Sequence, residues 1–136
     1  MKTLIIYYSY TGHTDAVAKK LAERESADIE EIVDSNRPGK LKVFTLGCYN
    51  AIKGNPWPIN PPKADLNSYD RLILLSPIWA GNPAPVFNAL LDILPAGKAI
   101  ELKMVSSSGS SNCEARLRSA IEAKGCTITS YEDIKN

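Results

Sequence analysis

"YSYTGHTDAVAKKLAE", residues 8–23, follows directly on the apolar run Leu4-Ile5-Ile6-Tyr7. The apolar run reads as a buried strand and the periodic apolar residues after Gly12 as a helix. Between them stand Ser9, Tyr10, Thr11, Gly12, His13 and Thr14, a polar turn that packing alone does not require. A helix that starts inside such a turn points unpaired amides and the positive end of its dipole into it. Ser9, Thr11 and Thr14 add hydroxyl donors, and Gly12 lets the backbone come close to a ligand. The turn therefore reads as a phosphate cradle of neutral groups. The plainer reading is an N-cap within a Ser/Thr-rich turn. A nucleotide-triphosphate loop is excluded, because no lysine follows the glycine in the required pattern.

Outward from this stretch, apolar runs alternate with helical patterns. Strands are expected at residues 3–9, 27–33, 72–76, 100–106 and 126–131, and helices at 12–25, 41–53, 85–94 and 112–124, the third with proline in its first turn. In the first helix Ala16, Val17, Lys20 and Leu21 fall at helical spacing. Five strands alternating with helices give an α/β fold, a parallel sheet covered by helices, in one domain over residues 1–136. Ligands of such sheets bind beyond the carboxyl ends of the strands, where the strand order reverses.

Two further loops stand at those ends. Ser76-Pro77-Ile78-Trp79-Ala80-Gly81-Asn82-Pro83 sets a tryptophan beside a glycine, which suits a planar aromatic ligand. Equally, Trp79 reads as a plug over the core. Ser106-Ser107-Ser108-Gly109-Ser110-Ser111-Asn112 is another small polar loop that feeds a helix, and as a surface turn it needs no explanation. All three loops fall on one edge of the sheet, and that shared position carries the functional reading.

Together the three loops resemble the flavodoxin family. Ser9, Thr11, Gly12 and Thr14 match the family's T/S-x-T-G-x-T loop for the phosphate of FMN, with Tyr10 and His13 at its variable positions. Pro77, Ile78, Trp79, Ala80, Gly81 and Asn82 match its second loop, where the tryptophan stacks on the isoalloxazine. Ser107, Ser108 and Gly109 match its third loop, on the pyrimidine side. The resemblance implies a flavodoxin-like doubly wound five-stranded sheet of order 2-1-3-4-5. It also implies non-covalent FMN rather than FAD, and a backbone peptide around Ala80, Gly81 and Asn82 that turns over on one-electron reduction. Three departures stand out: His13 replaces the usual amide residue, the third loop has no aromatic residue, and the last helix is absent after the fifth strand. Trp57 is the reserve stacking candidate.

The implied function is an FMN electron carrier between a reductase and an acceptor enzyme. The alternative is an FMN-dependent reductase of a small organic substrate, such as a quinone or tetrapyrrole, or a flavin reductase. A substrate pocket over the flavin distinguishes them; the proline-rich loop at residues 55–62 reads either as one of its walls or as a rigid connector, the commoner use of such loops. With no Lys or Arg in the first loop, a bound phosphate keeps its charge and disfavours further negative charge on reduced flavin. A receiver domain needs an aspartate where Leu75-Ser76-Pro77 stands, and a cysteine phosphatase needs a cysteine after the first strand; both are excluded.

In 136 residues, 44% are hydrophobic and 23% charged, and the net charge is +1. This charge gives no electrostatic case for nucleic acid or an anionic membrane, and the resemblance implies redox partner proteins. The unmatched cysteines Cys48, Cys113 and Cys126 and the lone His13 lack metal spacing and suit a cytoplasmic, reducing setting. The "MKTLIIYYSY" start is too short an apolar run for a signal peptide. A monomer or weakly associating dimer is expected. Polar residues alternate with apolar ones in the last two strands, so Glu101, Lys103, Thr127 and Thr129 are expected to line a solvent-exposed half-face of the sheet.

Overall fold

A computed structural model of the chain describes residues 2–136. Strands β1 (Thr3–Tyr7), β2 (Asp28–Glu31), β3 (Arg71–Trp79), β5 (Ala99–Ser106) and β6 (Thr127–Lys135) pair in parallel in the order β2-β1-β3-β5-β6. The two-residue β4 (Asn82–Pro83) returns antiparallel on the end of β3. Alternation of strands and helices predicts the parallel sheet, and the observed order is the one the flavodoxin resemblance implies. Helix α1 (His13–Glu25) covers one face. On the other lie α2, α3 (Pro85–Asp92) and α4 (Glu114–Ala123). α2 is continuous through an α turn (Lys40–Lys42), a π turn (Val43–Gly47) and a further α segment (Cys48–Lys53).

β3 is the centre of the molecule. Leu72, Ile73, Leu74 and Leu75 are all fully buried, as a parallel strand covered on both faces requires. Register with β1 sets Leu4 beside Leu72 and Ile6 beside Leu74. Those side chains face the larger core, which takes in Phe87 and Leu90 of α3 and Leu117 and Ile121 of α4. Ile5, Tyr7, Ile73 and Leu75 point the other way, onto Ala18 and Leu21 of α1. The inward stripe of α1 is therefore Thr14, Ala18 and Leu21 with Val17 at its margin, whereas Ala16 and Lys20 face water. Gly12 takes φ 102° and serves as the N-cap, which moves the helix start to His13.

β3 runs three residues beyond its expected end. Ile78 pairs with Pro83 and Trp79 with Asn82, leaving a two-residue turn in which Ala80 (φ 53°) and Gly81 (φ 83°) are both left-handed. Positive φ at both positions is the geometry of a tight hairpin that matches strand twist. The presumed loop is thus a strand end folded back on itself.

The exposed half-face is corrected at two of its four positions. Thr127 and Thr129 are exposed, and Thr129 is the extra residue of a bulge opposite Ile100 and Glu101. Glu101 and Lys103 are not open to solvent; Lys103 is only 9% exposed. Arg71 binds Glu101 and also reaches Glu25 at the end of α1 at 3.0 Å, while Lys103 Nζ lies 2.7 Å from Glu132. Alternation does mark two different faces here, but ion pairs and the flank of α1 screen the polar one.

Gly47 sits inside the π turn, where an added Cβ would meet Trp79 at 3.1 and 3.3 Å and Trp57 at 3.2 Å. Tyr8 and Tyr10 hold Trp79 from other sides, at centroid distances of 6.2 and 5.9 Å, so its ring has little room to recoil. Replacing glycine in a helix by alanine ordinarily stabilises it by about 1 kcal/mol. Here overpacking of about 1–3 kcal/mol opposes that gain. Gly47→Ala should lower the urea midpoint rather than raise it, and Gly47→Val should lower it further.

Candidate flavin site

The first loop closes on itself before it meets any ligand. Gly12 N donates to Ser9 Oγ at 3.1 Å, and the first intrahelical bond runs from Ala16 N to Gly12 O. The amides of His13, Thr14 and Asp15 thus have no helical acceptor and lie at the positive end of α1. Ser9 and Thr14 are buried at the rim, while Thr11, Gly12 and His13 are exposed.

A cation approaches this loop from elsewhere in the chain. Arg37, in the segment between β2 and α2, donates from Nη2 to Tyr10 O at 2.7 Å and stacks 4.3 Å above the Tyr10 ring. Tyr10 OH donates to Pro38 O, which ties the same segment to the loop. The loop itself contains no Lys or Arg, and this cation comes from 27 positions further along the chain. Arg37 would offset part of the charge of a phosphate held at this loop, contrary to the expectation that such a phosphate keeps its charge.

Two cavities adjoin the loops and share Ile78 and Ala80. The first, about 420 Å³, brings Tyr10 and Thr11 of the first loop against Ile78, Trp79 and Ala80 of the second. Lys40, Val43, Phe44 and Cys48 of α2 close it. The second, about 360 Å³, lies between Ile78, Ala80 and Gly81 and the serine loop, where Ser106, Ser107, Ser108, Ser110, Ser111 and Asn112 line it. Of the expected residues, Tyr10, Thr11, Ile78, Trp79, Ala80, Gly81, Ser107 and Ser108 line the two cavities, while Ser9, Gly12, His13 and Thr14 do not. Gly109 (φ 73°) instead packs on Lys135, and Pro77 and Asn82 build the hairpin. The proline-rich loop does not wall the first cavity; α2 does. Sequence reading missed Arg37, Lys40, Val43, Phe44 and Cys48 because their contribution depends on where α2 lies.

Trp79 lines the first cavity, yet it is the last residue of β3 and only 9% exposed. Trp57 stands behind it at 6.0 Å, edge to face. Gly81 O accepts from Asn112 N at 2.7 Å, and a Cβ on Gly81 would come within 2.5 Å of Asn112 Nδ2. That bond holds the Gly81–Asn82 peptide. Ala80 O accepts only from Asn82 Nδ2 at 3.2 Å, which leaves the Ala80–Gly81 peptide the freer of the two.

Below Trp79, Tyr8 OH donates to Asp34 Oδ2 at 3.0 Å. Burial pushes the Asp34 carboxyl up, against the opposing pull of Tyr8, Arg37 and Lys42. Burial and the Asp34 charge also push the Tyr8 phenol far up.

A cup of hydroxyls and helix-end amides next to two ligand-sized cavities, one apolar and one serine-lined, fits a phosphate-bearing flat heterocycle. The sequence profile of the family described as NADPH-dependent FMN reductase matches residues 1–131. The chain belongs to that family. It is an FMN-binding flavoprotein of flavodoxin-like fold, with FMN as its cofactor. Among solved structures it resembles a Lactobacillus acidophilus flavoprotein in complex with FMN at 24% identity and TM-score 0.78, covering 96% of this chain and 91% of that one. The apo form of that flavoprotein matches at 23% identity and TM-score 0.69, over 97% and 92% of the two chains. Two-electron reduced Megasphaera elsdenii flavodoxin matches at 18% and 0.60, over 98% and 88%. At such identities these structures establish the fold. No curated protein matches the chain. Among the described residues no helix is long and apolar enough to cross a membrane, and no cluster of His, Cys, Asp or Glu could hold a metal ion.

Two measurements test the site. Truncating a packed indole costs about 3–5 kcal/mol, so Trp79→Phe is the informative substitution. It should keep the fold, weaken FMN binding and raise bound-flavin fluorescence; unchanged quenching would mark Trp79 as a plug alone. For Asp34, the folded state holds its proton above the ordinary aspartate value of about 3.9. Stability should then fall as pH rises from that value through the raised one. Asp34→Asn, whose amide oxygen still accepts from Tyr8, should flatten this part of the pH dependence of the urea midpoint.

Proposed function

We propose that the protein is an FMN-dependent oxidoreductase that takes electrons from a reduced nicotinamide and delivers them to a small planar acceptor such as a quinone. The observation that carries this reading is the pair of cavities sharing the Ile78–Ala80 wall. Together they take the flavin ring across that wall, and the Val43–Phe44 flank of the first offers a planar acceptor an apolar face to lie against. The match to the reductase family supports the same reading.

FMN, when bound, supplies the two-electron relay between donor and acceptor. The chain's own part is binding and positioning. Ser9, Thr11, Thr14 and the amides at the start of α1 would hold the phosphate. The serine loop and the hairpin amides offer polar partners to the edge of the ring. Val43, Phe44 and Ile78 would keep water from the first cavity, and Lys40 offers its ammonium to an anionic or carbonyl-bearing edge of the acceptor.

The second reading, an electron carrier that docks protein partners, is favoured by the position of the site at an exposed sheet edge. Steady-state oxidation of NADPH by the FMN-loaded protein, with and without a water-soluble naphthoquinone, separates the two. The reductase reading expects quinone-dependent turnover, with Lys40→Gln and Phe44→Ala raising KM for the quinone more than they lower kcat. Absence of turnover, together with reversible photochemical reduction of the bound flavin, would leave the carrier.

A further inference from the structure

The net charge of +1 conceals a segregation. Residues 35–64 contain Arg37, Lys40, Lys42, Lys53 and Lys63 and no acidic residue, while the other eleven Lys and Arg stand against fifteen Asp and Glu, a net of −4. α2 lies inside this acid-free tract. It also carries five large apolar side chains that stand in water: Leu41 is 78% exposed, Phe44 77%, and Leu46, Tyr49 and Ile52 are each more than half exposed. The other exposed large apolar residues, Ile29, Val33 and Ile93, lie outside α2.

The π turn gathers these side chains. An α turn takes about 3.6 residues and a π turn about one more, so one of each spans about eight. Leu41 and Tyr49 are eight residues apart, as are Phe44 and Ile52, and the inserted residue brings the four onto one side of the helix. Lysines border this stripe at both ends. Lys42 Nζ lies 5.1 Å from the centroid of the Trp57 ring, and Lys53 Nζ lies 5.9 Å from that of Tyr49.

We propose that α2 docks on a bilayer containing anionic phospholipid, its apolar stripe seated at the headgroup boundary and Lys42 and Lys53, at its two ends, facing the headgroups. Charge decides against a second copy of this chain. An antiparallel pair of α2 helices sets Lys40 and Lys42 against Lys53 of the partner, and the tract holds no carboxylate to answer them. An acidic protein cleft would satisfy the charge but must also be shaped to receive side chains projecting from a convex helix. A bilayer needs no such match, and a stripe of aliphatic and aromatic residues bordered by lysine suits the lipid interface. The whole-chain charge argues against an anionic surface only while it is averaged. The stripe shares Phe44 with the first cavity, so the test uses positions that the proposed reaction does not.

The test is flotation of the FMN-loaded protein with vesicles of three parts phosphatidylcholine to one part phosphatidylglycerol, and with vesicles of phosphatidylcholine alone. Binding should require the anionic lipid and weaken with added salt. Each cation near such a surface accounts for about a fivefold change in partitioning, so Lys42→Gln with Lys53→Gln should weaken it roughly 25-fold. The triple substitution Leu41→Glu, Tyr49→Glu, Ile52→Glu should abolish flotation and leave FMN binding unchanged, because none of the three lines a flavin cavity. Absence of flotation with the anionic vesicles overturns the proposal, as does flotation that survives the triple substitution. Sedimentation velocity supplies the other arm: a dimer that the triple substitution dissolves assigns the stripe to a second copy and overturns it equally.

Discussion

Close contact between Gly47 and two indole rings ties α2 to the end of β3, and the flavin site depends on that tie. Only a residue without a side chain lets a helix backbone come so near Trp79 and Trp57. With the helix seated, Val43 and Cys48 close one side of the apolar cavity while Trp79 closes another. Trp79 in turn is held edge-on by Tyr8 and Tyr10, which flank Ser9 at the start of the first loop. The cradle, the strand end and the helix thus form one packed unit. A change in any of the three is transmitted to the other two by contact, since close-packed interiors do not absorb volume changes silently.

The parallel sheet and the three loops at its strand ends were legible in the sequence because each rests on local pattern, while the strand order came from the resemblance of those loops to a known family. Leu72 to Leu75 are apolar without a break, and that alone places them at the centre of a doubly covered sheet. Ser9 to Thr14 announce a helix start with spare donors. What could not be read depends on contacts far apart in the chain. Arg37 reaches Tyr10 across 27 positions, and no spacing rule anticipates it. The helical pattern at residues 41–53 was visible, but its π turn and its role as a cavity wall follow from packing against Trp57 and Trp79. Trp79 looked like a loop residue because the hairpin that makes it a strand end needs Ala80 in a conformation that non-glycine residues seldom adopt.

The sheet face toward α1 shows how charge can stand in for a helix. Glu101 and Lys103 alternate with apolar neighbours as if half the strand were wet, yet each is drawn into an ion pair across strands. Arg71 answers Glu101 from one side of β5, and Glu132 answers Lys103 from the other. Partly exposed pairs of this kind contribute about 0–1 kcal/mol each. Their larger effect is steric, since the aliphatic stems of Arg71 and Lys103 lie over the sheet and keep water from the strands below.

Among the described residues β6 is the last strand of the sheet, and no strand pairs with its outer edge. Nine residues of parallel strand with an open row of amides and carbonyls form a template on which another chain could add. Two features already described interrupt it. The bulge at Thr129 breaks the even spacing of the ladder, and Glu132, Asp133 and Lys135 set charge along the remainder. An incoming strand would find neither a regular register nor a neutral surface. The irregularity that displaces Thr129 thus also guards the protein against edge-to-edge polymerisation.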